Sequence, residues 1–191
     1  MNKEAVREYV LNSNYKILTQ DAALAENVLR EELGMSFNTK GEYDYISAKE
    51  AVKDVFAGDE LNEWILRKLV IEYRRGFKKE EVLMVVLNTP LEDTEDLSNA
   101  TMNFDDGGLV VTEHKIYAKN MPGNEDWNVR IENLSTINLE GTEVIFVEPG
   151  WSTYYYRINF PSQNVAENWY NFFMDLLEAA RKEEEEEEKE E

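Results

Sequence analysis

Apolar positions change period near residue 78. Before that point they recur at helical spacing: Ala48, Ala51, Val52, Val55 and Phe56 fall at i, i+3, i+4, i+7 and i+8, behind Ser47 and Glu50 at capping-box spacing. Gly58 is placed to give that helix a left-handed stop and Asp59 to cap the next. The second helix carries Leu61, Trp64, Ile65, Leu69 and Tyr73 on one face, with Glu63, Arg67 and Arg74 opposite, and ends at Gly76. Nearer the start, Ala5, Val6, Tyr9 and Val10 form a weaker stripe; Ala25, Val28, Leu29 and Leu33 form a better one, closed by Gly34. Residues 35–46 read as a loop or a short hairpin. The first 78 residues are therefore predicted to be a helical subdomain.

After Lys79 the pattern becomes extended. Val82 to Leu87 is a β-branched apolar run that Pro90 is expected to terminate. An acidic connection follows, and Asp106-Gly107 has the chemistry of a hairpin turn. Further strands are predicted at Leu109–Thr112, Lys115–Lys119, Trp127–Glu132, Thr136–Leu139, Glu143–Glu148 and Thr153–Phe160, with Gly141-Thr142 and Pro149-Gly150 as turns. Alternation places Tyr154, Tyr156, Ile158 and Phe160 on one face of the last strand, the expected core side, and Tyr155, Arg157 and Asn159 on the other. Pro161-Ser162 then stops the strand and caps a helix whose broad apolar face holds Val165, Trp169, Phe172, Phe173, Leu176, Leu177 and Ala180. Such a face must cover something, and the preceding meander is the available surface.

This order resembles the bacterial pleckstrin-homology-like (PH-like) domains, GRAM-type members included. The glycine, hydrophobic strand, Thr-containing turn, hydrophobic strand pattern of Gly108-Leu109-Val110-Val111-Thr112-Glu113-His114-Lys115-Ile116-Tyr117 is similar to theirs. So is Val129-Arg130-Ile131-Glu132-Asn133-Leu134-Ser135-Thr136-Ile137, where a polar segment leads into an isoleucine. The resemblance covers residues 80–181 and implies a bent antiparallel sheet, barrel-like or sandwich-like, plugged by a C-terminal helix. The expected class is α+β: helical subdomain 1–78, PH-like domain 79–181 and acidic tail 182–191.

Charge and chemistry narrow the function. The chain holds 40 acidic and 20 basic residues, a net charge of −20, of which the last ten residues carry −6. Such a surface repels nucleic-acid backbones and anionic lipid, so neither nucleic acid nor membrane is an expected partner. That also disfavours lipid binding, which the resemblance implies through a basic pocket. A protein partner of basic character is expected instead. The absence of cysteine removes thiol catalysis and thiolate zinc sites, and no apolar run is long enough to span a bilayer. A cytoplasmic location is the resulting expectation.

His114, the single histidine, is placed in a tight turn beside Glu113 with no partner to orient it. The acidic groups Glu92, Asp93, Glu95, Asp96 and Asp105, Asp106 lack the ligand alternation of a calcium loop. Phosphate-binding glycine loops and the nucleophile-elbow motif are missing. No catalytic residue, metal ligand or cofactor is therefore expected, and an enzyme is a distant reading. Arg74, Arg75, Lys78 and Lys79 could grip an anion, although such a run more often completes a helix dipole. The candidate partner-binding residues are Trp151, Tyr155 and Arg157, on or beside the last strand. The leading expectation is a non-enzymatic protein-interaction module. The alternative is an acidic antagonist, an immunity protein or phage-type inhibitor, of a basic nucleic-acid-binding enzyme. Glu183 to Glu191 is expected to fray as a solvated tail.

Overall fold

A computed structural model of the protein describes residues 1–15, 18, 53–61, 78–91, 108–119 and 126–190. The stripes at residues 25–33 and 64–73, the Asp106-Gly107 turn and both acidic groups between residues 92 and 106 lie outside these residues, as do Arg74 and Arg75.

Helix α1, Lys3–Asn12, starts where Asn2 Oδ1 accepts from the Ala5 amide at 2.8 Å, and it buries Val6 and Val10. The amphipathic stripe read there is thus used as a core face. Val55 and Phe56, read as helical, instead lie in strand β1, Lys53–Ala57. Five residues at mixed spacing fit either period, and the tie is broken by pairing. Val55, Phe56 and Ala57 align with Val86, Val85 and Met84 of β2, Val82–Leu91. β-Branched and aromatic side chains suit that half-buried surface. Gly58 does adopt a left-handed φ of 58°, but it ends a strand and opens a 3-10 turn, Gly58–Glu60, with Asp59 inside that turn.

β2 also runs past the stop expected at Pro90. Its ladder with β3, Gly108–Thr112, ends at Leu87, and its register with β1 is irregular between Val86 and Leu91. The missing N–H of Pro90 therefore interrupts no regular pairing. β4, Lys115–Lys119, and β5, Trp127–Arg130, complete an antiparallel sheet in the order β1-β2-β3-β4-β5. The predicted β5 continuation to Glu132 is replaced by a 3-10 turn at Ile131–Asn133. The β1–β2 ladder crosses residue 78, so residues on both sides of that division share one sheet.

A second antiparallel sheet has the order β6-β7-β8, from Thr136–Glu140, Glu143–Glu148 and Tyr154–Asn159. Gly141, at φ 63°, allows the tight β6–β7 turn. Ser162 Oγ accepts from the Val165 amide at 3.3 Å and starts α2, Gln163–Glu190. Val165, Trp169, Phe172, Phe173, Leu176, Leu177 and Ala180 are all buried, as the periodicity requires.

α2 continues through the Glu-rich run, where fraying is expected from charge alone. Adding one residue to an existing helix gains a hydrogen bond without a new nucleus, and Glu and Lys are good helix formers. Glu178–Lys182 and Glu185–Lys189 also stand at i, i+4 spacing.

One buried cluster draws from both helices and both sheets. Phe173 meets Phe146 of β7 edge-on at 4.9 Å, and Trp169 stacks on Phe160 at 5.7 Å. α1 packs on α2 through Tyr9 and Phe172, 5.5 Å apart, and the Asn2 amide donates to the Ala180 carbonyl. Arg181 donates to the carbonyls of Leu134 and Ser135, fixing α2 to the start of β6. No described helix is long and apolar enough to cross a membrane.

Candidate functional site

The β7–β8 connection places large aromatic side chains in solvent. Pro149 and Gly150 turn the chain, and an added Cβ at Gly150 would stand 3.2 Å from the Ser152 carbonyl and 3.8 Å from the Tyr154 ring. Trp151, which follows, is fully exposed; Tyr154 is 56% and Tyr155 57% exposed. Trp151 and Tyr155 thus stand at the surface, where they were read as candidates. Tyr154, read as core, stands at the surface as well: Ile158 and Phe160 are buried farther along, Tyr156 is half-buried, and Tyr154 at the strand's first position lies beyond the cover they share. The β-face was identified correctly, but burial fades toward its end. Among the described strands β8 pairs with β7 alone, so its other edge carries no ladder.

Arg157, the third candidate, is half-buried and donates to Glu143 Oε2 at 2.8 Å. It lies on the outer face with Tyr155 but is committed to an ion pair within the sheet.

The opposite face of β8 holds groups the sequence reading did not single out. Tyr156 donates its hydroxyl to Glu148 Oε2 at 2.6 Å, and the Asn133 amide donates to Glu148 Oε1 at 2.7 Å. Burial, aided by the hydrogen bond to the Glu148 carboxylate and by its charge, pushes the Tyr156 hydroxyl up to about 12. The neutral phenol is the form that can donate there. Trp127 of β5 lies 5.3 Å from Tyr156 and 5.3 Å from Phe146, joining the two sheets. Its Nε1 is buried without a hydrogen-bond partner. Glu148 and Tyr154 are ladder partners across β7 and β8. The signal that could have brought them together was the hairpin register implied by the turn at residues 149–153.

His114 occupies the predicted turn, but its surroundings differ from those expected. It is half-buried, with Nε2 3.6 Å from Glu81 Oε2 and Nδ1 buried without a hydrogen bond. Thr112 Oγ1 closes the turn, accepting from the Lys115 amide at 2.9 Å and donating to the Lys115 carbonyl at 3.1 Å. Arg7 of α1 pairs with Glu113 and donates to the Glu80 carbonyl at 2.8 Å. Carboxylates, a guanidinium and a committed hydroxyl make this an anchor between α1 and the β3–β4 turn.

Lys78, from the basic run, is exposed. A groove between α1 and α2 is lined by Glu8, Tyr9, Asp175, Glu178 and Lys182. Burial and the charge of Asp175 hold the Tyr9 hydroxyl well above its ordinary range, while it donates to the Phe172 carbonyl at 3.0 Å. Among the described residues no three His, Asp or Glu side chains come together as metal ligands. Comparison with protein-family models, curated proteins and solved structures found no match.

Proposed function

We propose that the protein is a non-enzymatic, cytoplasmic protein-interaction module, PH-like over residues 79–181, that binds its partner through the β7–β8 turn and the open edge of β8. One observation carries this reading: Trp151, Tyr154 and Tyr155 stand exposed together beside an edge with no ladder partner among the described strands. Exposed single apolar residues are ordinary, but clustered Trp and Tyr offer much rigid contact area at small entropic cost. An unpaired strand edge beside them adds main-chain hydrogen bonds. The order of a larger sheet, a smaller sheet and a terminal helix supports the PH-like likeness. The test is affinity capture from cells of the native host with the full chain, beside the Trp151→Ala/Tyr155→Ala double variant. Proteins retained by the first and lost by the second are expected; identical retention would refute the docking edge.

A second reading, an acidic antagonist of a basic enzyme, draws on a different region. Glu8, Asp175 and Glu178 line the α1–α2 groove, and the helix bearing the last two continues into the Glu-rich run. It requires binding that survives loss of Trp151 and Tyr155 but weakens when Glu8, Asp175 and Glu178 are neutralised.

A further inference from the structure

Alternation divides what an occupant of the β8 edge would meet. Tyr154 and Tyr156 point to the inner side, Tyr155 and Arg157 to the outer. The outer side is already balanced, because Arg157 pairs with Glu143 at 2.8 Å. The inner side is not. Glu148 there takes two neutral donors, Tyr156 and Asn133, and pairs with no cation among the described residues. It is half-buried and stands opposite Tyr154, whose ring is more than half exposed.

We propose that the β8 edge takes one extended, basic segment of a partner protein, added as a strand, with an Arg or Lys side chain lying over the Tyr154 ring toward the Glu148 carboxylate on β7 beyond it. The inference rests on the docking reading above and names its partner class. A cation near a tyrosine ring is attracted by the ring quadrupole, and more strongly where a carboxylate lies beside it and water is partly excluded. A strand added along β8 would present alternate side chains to the two sides. The cation is then called for at the position facing Tyr154, while the residues next to it in sequence face the Tyr155 side, where charge is already matched. The net charge of −20 would speed the approach of a basic segment and repel an acidic one.

The probe is a random-peptide phage library panned on the full chain. Retained sequences are then synthesised and their Kd values measured against wild type, Glu148→Gln, Tyr154→Leu and the Trp151→Ala/Tyr155→Ala double variant. Glu148→Gln keeps the size and an acceptor oxygen, and an unchanged melting curve shows that the fold survives. The expected peptides carry Arg or Lys at one fixed position within an extended, β-branched pattern. Replacing that residue by Gln should weaken binding about tenfold, a loss typical of one charge-assisted contact. Glu148→Gln should cost about the same, and the two changes together little more than either alone. Methylating the peptide amides that would face β8 should abolish binding. Peptides that need Trp151 and Tyr155 but are indifferent to Glu148→Gln, or carry no basic residue, would overturn this inference and leave the docking edge standing. Retained peptides whose binding ignores Trp151 and Tyr155 would refute the docking edge, and this inference with it.

Discussion

β3 and β8 are both short antiparallel strands, yet their side chains meet opposite fates. Every residue of β3 is buried. It lies at the middle of the larger sheet, where Val110 aligns with Val85 and Tyr117, and Leu109 with Val86 and Ala118, all buried. A strand covered on both faces reads as a continuous apolar run, as Leu109-Val110-Val111 does. Among the described strands β8 lies at an edge, burying Ile158 at one end and exposing Tyr154 and Tyr155 at the other. The same folding rule that drives β3 inward leaves these rings in water. Stability therefore resides in the core that both sheets and both helices share, and the head of β8 lies outside it.

Substitution of a central aromatic should separate the two regions most clearly. Trp169→Ala removes a fully buried ring that stacks on Phe160 and Phe173 and meets Phe172 edge-on. A loss of about 3–5 kcal/mol in urea titration is expected. A loss below about 1 kcal/mol would mean that α2 is peripheral to the core.

A smaller loss is expected where α1 is anchored. Arg7→Met removes the pair with Glu113 and the donor to the Glu80 carbonyl, both partly exposed, and should cost about 1 kcal/mol in the same titration. An unchanged midpoint would show that burial of Val6 and Val10 and the contacts with α2 hold α1 in place without this anchor.

Tyr156 sharpens the comparison at alkaline pH. Its folded pKa, about 12, lies above the ordinary value of 10.0, so its neutral form is the one the fold favours. Stability from this group is fully present below pH 10 and is lost as pH rises toward 12. Tyr156→Phe should flatten the fall in melting temperature across that window. Absorbance at the tyrosinate band, compared between wild type and Tyr156→Phe, should show the missing phenol ionising near pH 12. An identical fall in the variant would place the alkaline sensitivity elsewhere.

Trp151→Ala and Tyr155→Ala should each change stability by no more than about 0.5 kcal/mol, since both rings are exposed. If either costs as much as a core substitution, the contrast between β3 and β8 fails and the ring is covered in solution.

The parts readable in the sequence are those where one local period held long enough. Glu143–Glu148 and Lys115–Lys119 lie at their predicted bounds, and the stripe from Val165 to Ala180 is buried throughout. Val55 and Phe56 were misread because a few residues satisfy both periods, and pairing with β2 decides between them. The path of β2 through Pro90 depends on its neighbours' register, which a single strand does not encode. At the candidate site the exposure of Trp151 follows from its turn and that of Tyr155 from alternation. Tyr154 was misplaced because alternation states a face and not how far along it the cover extends. Trp127 joins the site only through tertiary pairing and Glu148 only through the register of the β7–β8 hairpin, so neither follows from the period of a single strand.

The smallest effect on the fold is expected from the acidic end of α2. Removing residues 183–191 takes away helix beyond Ala180, the last buried position among the described side chains, so the melting temperature should hardly move while the far-ultraviolet helix signal falls. The deletion also removes seven net negative charges, eight glutamates against one lysine. If the partner segment is basic, those charges speed encounter without touching the β8 edge, so the truncated protein should bind a basic peptide with a lower association rate and an unchanged dissociation rate. The difference should shrink as salt rises, because exposed charges are screened over about 8–10 Å at physiological ionic strength. Stopped-flow association at two salt concentrations measures both quantities. Equal association rates at both would assign steering to the body of the protein. A faster dissociation rate after truncation would instead place the end of α2 in direct contact with the partner, and so extend recognition beyond the head of β8.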